Sequence, residues 1–177
     1  MTATRAPRLT RRGFLSTVGA AAAAPYIIPA SAIGGEGRPA PSERITMGFV
    51  GVGGQGTGDM GGFMGFPEVQ VLAVCDVDAR HRERAQQMVE NRYAQDKASG
   101  AYQGCSAYND YRELCARPDI DAVFCGTPDH WHALITCEAM RNGKDVYCEK
   151  PETLTIREGR IMVERARRYG RIFSGGS

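Results

Sequence analysis

The cysteines of this sequence lack any metal-binding or redox spacing. The six are separated by 30, 10, 10, 12 and 11 residues, and the chain contains no CxxC pair. Only three histidines are present, and none forms a pattern with a cysteine. Zinc sites and redox dithiols both use short cysteine spacings, so neither is indicated. Cys75, Cys125 and Cys148 each end an expected strand, and we predict small buried thiols without disulfide bonds.

Acidic charge is missing from the beginning of the chain. The first 32 residues contain four arginines and no acidic residue. The 177-residue chain has 22 basic and 20 acidic residues, so the remainder has 22 − 4 = 18 basic against 20 acidic residues, a net charge of −2. No basic stripe remains that would indicate binding to nucleic acid. The hydrophobic content of 42% is that of a globular protein with one core of ordinary size.

Long hydrophobic runs are also absent. The most apolar stretch, the alanines leading to Ile28, is short for a membrane span and is interrupted by Pro25. The twin arginine Arg11-Arg12 precedes this stretch, and a small-x-small triplet at 30–32 follows it. The arrangement resembles a twin-arginine (Tat) signal peptide over residues 1–32, with cleavage at its end. We therefore expect export in the folded state to the periplasm or beyond, with no stable membrane insertion.

Alternating strands and helices organise the rest of the chain. Residues 33–44 are rich in glycine, proline and serine, which indicates a linker. Between residues 45 and 177 the apolar patterns predict strands at 45–50, 69–75, 120–125, 146–148 and 171–174, helices at 54–65, 79–97, 110–116, 130–141 and 156–169, and a loop at 99–109. This alternation predicts an α/β domain with a doubly wound parallel sheet, the Rossmann fold.

A glycine-rich turn follows the first strand and is the centre of the functional prediction. Its GxGxxG pattern consists of Gly51, Gly53 and Gly56, with Gly54 and Gln55 between the last two. The first glycine permits a tight turn, the second lets a pyrophosphate approach the backbone, and the third lets helix and strand pack closely. The phosphates would meet the amino end of the helix, where unpaired N–H groups favour an anion.

Asp76 supplies the second part of a predicted dinucleotide site. It follows the second strand, 76 − 56 = 20 residues after the last glycine of the motif, where a carboxylate can accept hydrogen bonds from an adenosine ribose. A carboxylate repels a 2′-phosphate, so we predict NAD rather than NADP as the cofactor. Arg80 and Arg82 are the dissenting feature, because either side chain could reach a phosphate.

Lys150 is the first candidate for proton transfer. It follows an apolar strand directly and lies between Glu149 and Pro151, at the edge of the sheet where ligands of such sheets bind. A lysine held near a nicotinamide could exchange a proton with the substrate. The alternative is a solvated lysine that pairs with Glu149.

A pair of histidines begins the helix that follows the third expected strand. His130 and His132 flank Trp131, and Asp129 precedes them. We expect one histidine to face the cofactor cleft and the other to cap the helix or pack, and we expect Trp131 to pack. No third ligand stands at metal spacing, so no metal site is predicted.

Together these motifs resemble one family. Residues 45–177 are similar to the Gfo/Idh/MocA oxidoreductases in the GxGxxG turn, in Asp76 and in the stretches Thr127-Pro128-Asp129-His130-Trp131-His132 and Glu149-Lys150-Pro151. The resemblance implies that Lys150 and His132 are catalytic, with Lys150 contacting the substrate hydroxyl and the nicotinamide ribose. It implies that cofactor binding involves Lys150 and the additional residues Thr127, Pro128, His130 and Glu149. Asp129 stands where the family usually has Asn, so a contact made by that amide is not expected here.

The same resemblance implies a second domain, built on an antiparallel sheet, that completes the substrate pocket and is not included in these 177 residues. The expected function is that of a secreted nicotinamide-dependent oxidoreductase, homo-oligomeric in its full-length form, which acts on a sugar or polyol by hydride transfer. One alternative is a redox-neutral NAD-dependent glycosidase of the same family. The other is a non-catalytic nucleotide-binding module.

Overall fold

The fold was examined in a computed structural model, which describes residues 39–176. The signal peptide predicted over residues 1–32 and the linker up to residue 38 lie outside the described residues. The part of the linker that is described contains a single turn of 3₁₀ helix, Pro41–Glu43. From Ile45 onward the chain alternates between strands and helices.

Twelve strands and helices make up the domain. The strands are β1 Ile45–Val50, β2 Val69–Cys75, β3 Ser106–Tyr108, β4 Ala122–Cys125, β5 Asp145–Cys148 and β6 Phe173–Gly175. The helices are α1 Gly54–Phe63, α2 Ala79–Arg92, α3 Ala94–Ala98, α4 Tyr111–Cys115, α5 Asp129–Arg141 and α6 Ile156–Tyr169.

The six strands form one sheet in the order β3-β2-β1-β4-β5-β6, and every neighbouring pair is parallel. This is the strand order of a doubly wound nucleotide-binding sheet, in which the chain reverses direction across the sheet after β3. The predicted fold class is therefore confirmed. All carboxyl ends of the strands lie at one edge, and the switch point falls between β1 and β4.

Both faces of the sheet are buried, which explains why the central strands are apolar throughout rather than alternating. One core contains Phe49, Met60, Val71 and Val89, and it packs α1 and α2 against the sheet. The second core contains Leu114, Ile135 and Met140 and packs α4 and α5 on the opposite face. Met47 and Phe49 of β1 belong to the first core, and Val50 belongs to the second.

The helix ends follow local sequence signals. Asp78 accepts a hydrogen bond from the backbone N–H of Arg80 and begins α2, as predicted. Thr155 and Glu158 form a capping box that begins α6, and Gly170 ends α6 with φ 61°. The two N-caps fix where the loops at the carboxyl edge end.

Two parts of the sequence-based assignment are wrong. The loop expected at 99–109 contains β3, which pairs with β2 at the edge of the sheet. The helix expected at 79–97 ends at Arg92, because Tyr93 leaves the helical conformation (φ −105°, ψ 19°). The Tyr93 ring is buried against Tyr102, with ring centroids 4.9 Å apart, and tertiary packing thus overrides helix propensity.

No helix in the range 39–176 combines the length and apolar character needed to cross a bilayer.

Candidate functional site

The glycine turn after β1 is held by close backbone contacts. Gly51 has φ 82°, and a Cβ built on it would lie 2.6 Å from the carbonyl carbon of Gly126. A Cβ on Gly56 would lie 2.0 Å from the carbonyl oxygen of Gly51. The first and last glycines of the motif are therefore required by sterics at the switch point. By contrast, Gly54 has no atom within 4 Å of its built Cβ and faces open space.

The amino end of α1 has no side-chain cap. Gly53 occupies the N-cap position and has no side chain to cap the first turn, whereas α2, α4 and α6 are capped by the side chains of Asp78, Asp110 and Thr155. The first N–H groups of a helix have no partner within the helix and carry its positive dipole end. An anion in the open space beside Gly54 would satisfy them.

Asp76 lies beside this turn with a fixed orientation. Its Oδ2 accepts a hydrogen bond from the backbone N–H of Val52 at 2.9 Å, and its Oδ1 accepts one from the N–H of Asp78 at 2.9 Å. The Nδ1 atom of His81 lies 3.6 Å from Oδ2. The carboxylate thus links the glycine turn to the end of β2, and its side chain is 11% exposed.

The two arginines that could have reached a phosphate are engaged elsewhere. Nη1 of Arg82 donates to the Asp76 carbonyl oxygen at 2.6 Å and to Oδ1 of Asn109 at 3.3 Å. Nη2 of Arg80 pairs with Oδ2 of Asp78 at 3.0 Å, and this hydrogen bond holds the pKa of the Asp78 carboxyl well below its usual range. Neither arginine is a free cation beside Asp76.

A cavity of about 540 Å³ opens at the carboxyl edge, directly over the switch point. Loops after β1, β2, β3 and β4 contribute its walls, including Gly51, Gly53, Asp76, Thr127 and Pro128. The structure therefore brings these predicted residues to one cleft. Its other walls, which the sequence prediction did not assign to the cofactor, include His81, Asn109, Asp110, Tyr111, Arg112 and Trp131.

Trp131 illustrates why these walls escaped prediction. It was expected to pack, yet it is 42% exposed and lines the cavity, with its ring centroid 6.3 Å from that of Tyr111. Asn109 and Tyr111 follow β3, a three-residue strand that carries no clear pattern. The only signal in the sequence was the Asn-Asp pair at 109–110, which is also typical of an ordinary turn.

Beneath the cleft, His132 joins the loop after β4 to the loop after β5. Its side chain is buried, its Nε2 lies 2.7 Å from the carbonyl oxygen of Thr127, and its Nδ1 lies 2.8 Å from that of Pro151. A neutral imidazole has one N–H and donates to one of these oxygens, whereas an imidazolium donates to both. Both ring nitrogens are therefore occupied by backbone, and the ring does not face the cleft.

Lys150 follows β5 with an exposed side chain. Glu149 beside it is 8% exposed, and its Oε2 accepts a hydrogen bond from the Lys150 backbone N–H at 3.2 Å. Among the described residues, the Lys150 ammonium has no ion-pair partner, so the expected alternative of a Glu149–Lys150 side-chain pair is not formed. The ammonium is available to a ligand at this edge.

Six of the predicted cofactor contacts are not among the residues that line the cavity: Gly54, Gln55, Gly56, His130, Glu149 and Lys150. The side chain of His130 is 56% exposed and lies 3.6 Å from Oδ1 of Asp129. Gln55 is exposed on α1 and donates from Nε2 to the carboxylate of Asp59 at 3.1 Å. His130 and Gln55 remain candidates because they lie in the first turns of α5 and α1, although neither lines the cavity.

One group of side chains offers three potential metal ligands. The sulfurs of Cys125 and Cys148 and a ring nitrogen of His132 all lie within 4.8 Å of one another, and all three residues are buried. Sequence spacing gave no sign of this group, because its members come from β4, β5 and α5. A metal ion would have to break one of the two carbonyl contacts of His132.

The uncapped helix, the sterically required glycines, the fixed carboxylate and the cavity at the switch point define a dinucleotide-binding domain of the Rossmann type. A family model described as "Oxidoreductase family, NAD-binding Rossmann fold" matches residues 45–177. The chain belongs to this family, the Gfo/Idh/MocA oxidoreductases.

Curated relatives share this part of their sequence. A glycosyl hydrolase family 109 protein of Shewanella pealeana is 31% identical over 175 residues, which cover 91% of this chain and 38% of that protein. A glycosyl hydrolase family 109 protein of Shewanella sp. strain ANA-3 is 36% identical over 129 residues, covering 71% of this chain and 27% of that protein. The chain thus spans well under half the length of these relatives.

Solved structures share the fold. An NAD-binding protein from Listeria innocua is 26% identical with a TM-score of 0.61, over 75% of this chain and 34% of that one. The scyllo-inositol dehydrogenase of Lactobacillus casei, solved with NAD(H) and scyllo-inositol, has a TM-score of 0.64 at 21% identity, over 75% of this chain and 36% of that one.

Proposed function

We propose that this chain is the nicotinamide-dinucleotide-binding domain of an exported enzyme that transfers a hydride at a carbinol carbon of a sugar or polyol. Three features at one edge of the sheet carry the proposal: the Gly51 turn, Asp76, and the loops after β4 and β5. These two loops contain Thr127 and Lys150, and His132 joins them.

The residues present fit a dinucleotide. The open space beside Gly54 fits a pyrophosphate, because no atom lies within 4 Å of a Cβ built there and the first N–H groups of α1 have no side-chain cap. Asp76 presents a carboxylate to a ribose with its orientation already fixed by two backbone N–H groups. When bound, the dinucleotide supplies the hydride acceptor.

Lys150 is the residue that we assign to proton transfer. Its ammonium is exposed at the carboxyl edge and lacks an ion-pair partner within residues 39–176. In the proposed reaction it orients the substrate hydroxyl and takes up or returns the hydroxyl proton. His132 supports Lys150 indirectly. Its ring contacts the carbonyl oxygens of Thr127 and Pro151 and so fixes the loops after β4 and β5 relative to each other.

NAD is the proposed cofactor rather than NADP. The Asp76 carboxylate would repel a 2′-phosphate, and the nearby arginines are engaged with Asp78, Asn109 and the β2 backbone. The small-molecule substrate would bind above the nicotinamide, against residues of the full-length protein beyond these.

Redox-neutral glycoside cleavage is the second candidate, and the names of the relatives favour it. The two Shewanella proteins described above are named glycosyl hydrolase family 109 proteins. In such a reaction the hydride is removed from the sugar, the aglycone is eliminated, water adds to the unsaturated sugar, and the hydride is returned to the same sugar. The domain would need to retain its cofactor through this cycle. The same dinucleotide site would serve hydride transfer and redox-neutral glycoside cleavage.

Export through the Tat pathway is part of the proposal. Arg11 and Arg12 precede an apolar stretch and a small-x-small triplet. The match with the S. pealeana protein covers 91% of the chain, more than residues 45–177, and so extends into the segment before Ile45. A folded precursor could carry its dinucleotide across the membrane.

The proposed function is tested by Lys150→Ala in the full-length protein. We expect kcat to fall by about 100- to 10,000-fold, the usual contribution of positioned proton transfer, while the Kd for NAD changes much less. Lys97→Ala, at an exposed lysine on α3 paired with Glu90, is the matched control and should leave both unchanged. Nearly unchanged turnover in Lys150→Ala would exclude the catalytic role.

Product analysis separates the candidates in the same experiment. Incubated with polyols and with aryl glycosides without added oxidant, a dehydrogenase yields at most one ketone per bound NAD, whereas a glycosidase releases aglycone over many turnovers. NAD binding with no turnover on either class would instead favour a non-catalytic module.

A further inference from the structure

Two cysteines stand side by side directly beneath the nucleotide site. Cys125 and Cys148 are the last residues of β4 and β5, and they are register partners in this parallel pair. Partners in neighbouring strands lie about 4.8 Å apart, inside the roughly 4.4–6.8 Å range of Cα separations that a disulfide spans. Both side chains belong to the same core cluster and point to the same face of the sheet.

The other strand-end cysteine cannot take part. Cys75 and Cys125 are both partners of Val50, one on each side of β1. Two strand spacings place their Cα atoms roughly 9–10 Å apart, which is beyond the range that a disulfide can bridge. Geometry therefore selects Cys125 and Cys148 from the three cysteines that end strands.

Polar side chains surround this pair. Cys125 Sγ lies 3.5 Å from Oγ1 of Thr127, and the His132 ring lies within 4.8 Å of both sulfurs. Oγ1 of Thr136, one helical turn after His132 on α5, is buried and is without a hydrogen-bond partner among the described residues. A buried hydroxyl without a partner is costly in an apolar core, and this one lies close enough to Cys148 to lower the pKa of that thiol.

The thiols differ in acidity for the same reason. Hydrogen bonding from Cys148, supported by Thr127, lowers the pKa of Cys125, and hydrogen bonding with Cys125 together with burial raises the pKa of Cys148. In contrast, burial raises the pKa of Cys75, Cys105 and Cys115 to about 12. Thiolate character determines which cysteine attacks an oxidant, and among these cysteines it singles out Cys125.

We propose that Cys125 and Cys148 form a dithiol site that a hydroperoxide oxidises to a disulfide beneath the cofactor cleft.

The steps balance with hydrogen peroxide as the oxidant. The Cys125 thiolate attacks one peroxide oxygen, the O–O bond breaks, and hydroxide leaves and takes up a proton to become water. Cys148 then attacks the sulfur of the Cys125 sulfenic acid, the S–O bond breaks, and the departing oxygen leaves as water with the Cys148 proton. Two thiols lose two electrons in total, and one peroxide becomes two water molecules.

Hydrogen peroxide is small enough to reach a buried sulfur beside the cavity. Gly126 and Thr127, the two residues after Cys125, line the cavity wall. The unpartnered hydroxyl of Thr136 lies on the α5 side of the pair and could donate to the oxygen of the sulfenic acid. Larger disulfide oxidants would be excluded by the packing of β4 and β5.

The test is thiol counting and peptide mapping on the full chain. The reduced protein is exposed to hydrogen peroxide, denatured, and alkylated, and its mass is measured. We expect the six alkylatable thiols to fall to four, with a loss of two hydrogen atoms. Cleavage before aspartate releases residues 121–128, which contain Cys125 alone, and a fragment starting at Asp145, which contains Cys148 alone, so a cross-link between them identifies the pair without any variant.

Variants sharpen the result. Cys125→Ser should abolish the cross-link, and Cys148→Ser should leave a sulfenic acid on Cys125 that dimedone traps. Cys75→Ser, at a buried strand end, and Cys137→Ser, at a half-buried site on α5, are matched controls that should keep the cross-link. Six free thiols after peroxide treatment, a cross-link between other cysteines, or a stoichiometric zinc ion that shields both sulfurs would overturn the proposal.

Discussion

At the scale of single residues, the site depends on side chains that are absent as much as on those present. Gly51 and Gly56 leave no room for a Cβ because the backbone of the turn and the loop after β4 lie against them. The sequence motif predicted these two positions because its spacing encodes that contact. It could not show that Asp76 accepts hydrogen bonds from the N–H groups of Val52 and Asp78. The bond from Val52 joins residues that are 24 positions apart, so it depends on how β1 and β2 pair.

Asp76→Ser tests the choice of cofactor. Removing the carboxylate takes away the repulsion of a 2′-phosphate, so we expect the preference for NAD over NADP to fall by about tenfold or more, equivalent to about 1.4 kcal/mol. Binding of both dinucleotides is measured by calorimetric titration. Asp119→Asn, at an exposed carboxylate that does not line the cavity, is the matched control and should leave the preference unchanged. Tighter binding of NADP than NAD by the unaltered protein would contradict the assignment.

At the scale of helices and strands, the long apolar segments were predictable and the short ones were not. The buried strands β1 and β2 were predicted to the residue, because β1 and β2 carry six and seven residues of strand pattern. β3 has only three residues, half-buried or exposed, and its pairing with β2 is decided by tertiary contact. The walls that β3 contributes to the cavity were missed for the same reason.

His132 connects two loops instead of facing the cofactor cleft. The sequence predicted a histidine facing the cofactor, but His132 contacts the carbonyl oxygens that follow β4 and β5. Those distances depend on how α5 packs on the sheet, which periodicity does not give. The same packing assembles Cys125, Cys148 and His132 from three separate elements.

The neighbouring histidines provide a direct comparison. His132→Ala should lower the free energy of unfolding by about 2–4 kcal/mol, because the buried ring is lost and the carbonyl groups of Thr127 and Pro151 lose their partner. It should also raise the Kd for NAD, since the loops after β4 and β5 are no longer joined. His130→Ala, at a half-exposed ring one residue away from Trp131, should change the unfolding free energy by less than about 0.5 kcal/mol. Denaturant unfolding and NAD titration measure both effects, and equal effects of the two variants would contradict the linking role.

At the scale of the whole molecule, export and cofactor binding form one hypothesis. Replacing Arg11 and Arg12 by lysine should hold the precursor in the cytoplasm, because the Tat pathway reads the twin arginine. Replacing Arg5 and Arg8 by lysine changes the same number of arginines outside the motif and should permit export. Immunoblots of cell fractions give the result. Periplasmic accumulation of the first variant would rule out a Tat signal.

An enzyme outside the cytoplasm has no expected pool of NAD to draw on. A dehydrogenase that released its cofactor at each turnover would soon stop, whereas a cofactor that crosses the membrane inside the folded protein and stays bound would be reoxidised in place. The cavity of about 540 Å³ is open on the side of the sheet edge, so full retention depends on further parts of the protein that cover it. The isolated domain should therefore bind the dinucleotide more loosely than the complete enzyme.

The most direct test is to purify the full-length mature protein from the periplasm without added nucleotide, denature it, and quantify the nucleotides released. The account predicts NAD or NADH in near-stoichiometric amount, with NADP absent. A folded protein that is isolated empty and binds NAD only weakly and reversibly would contradict it.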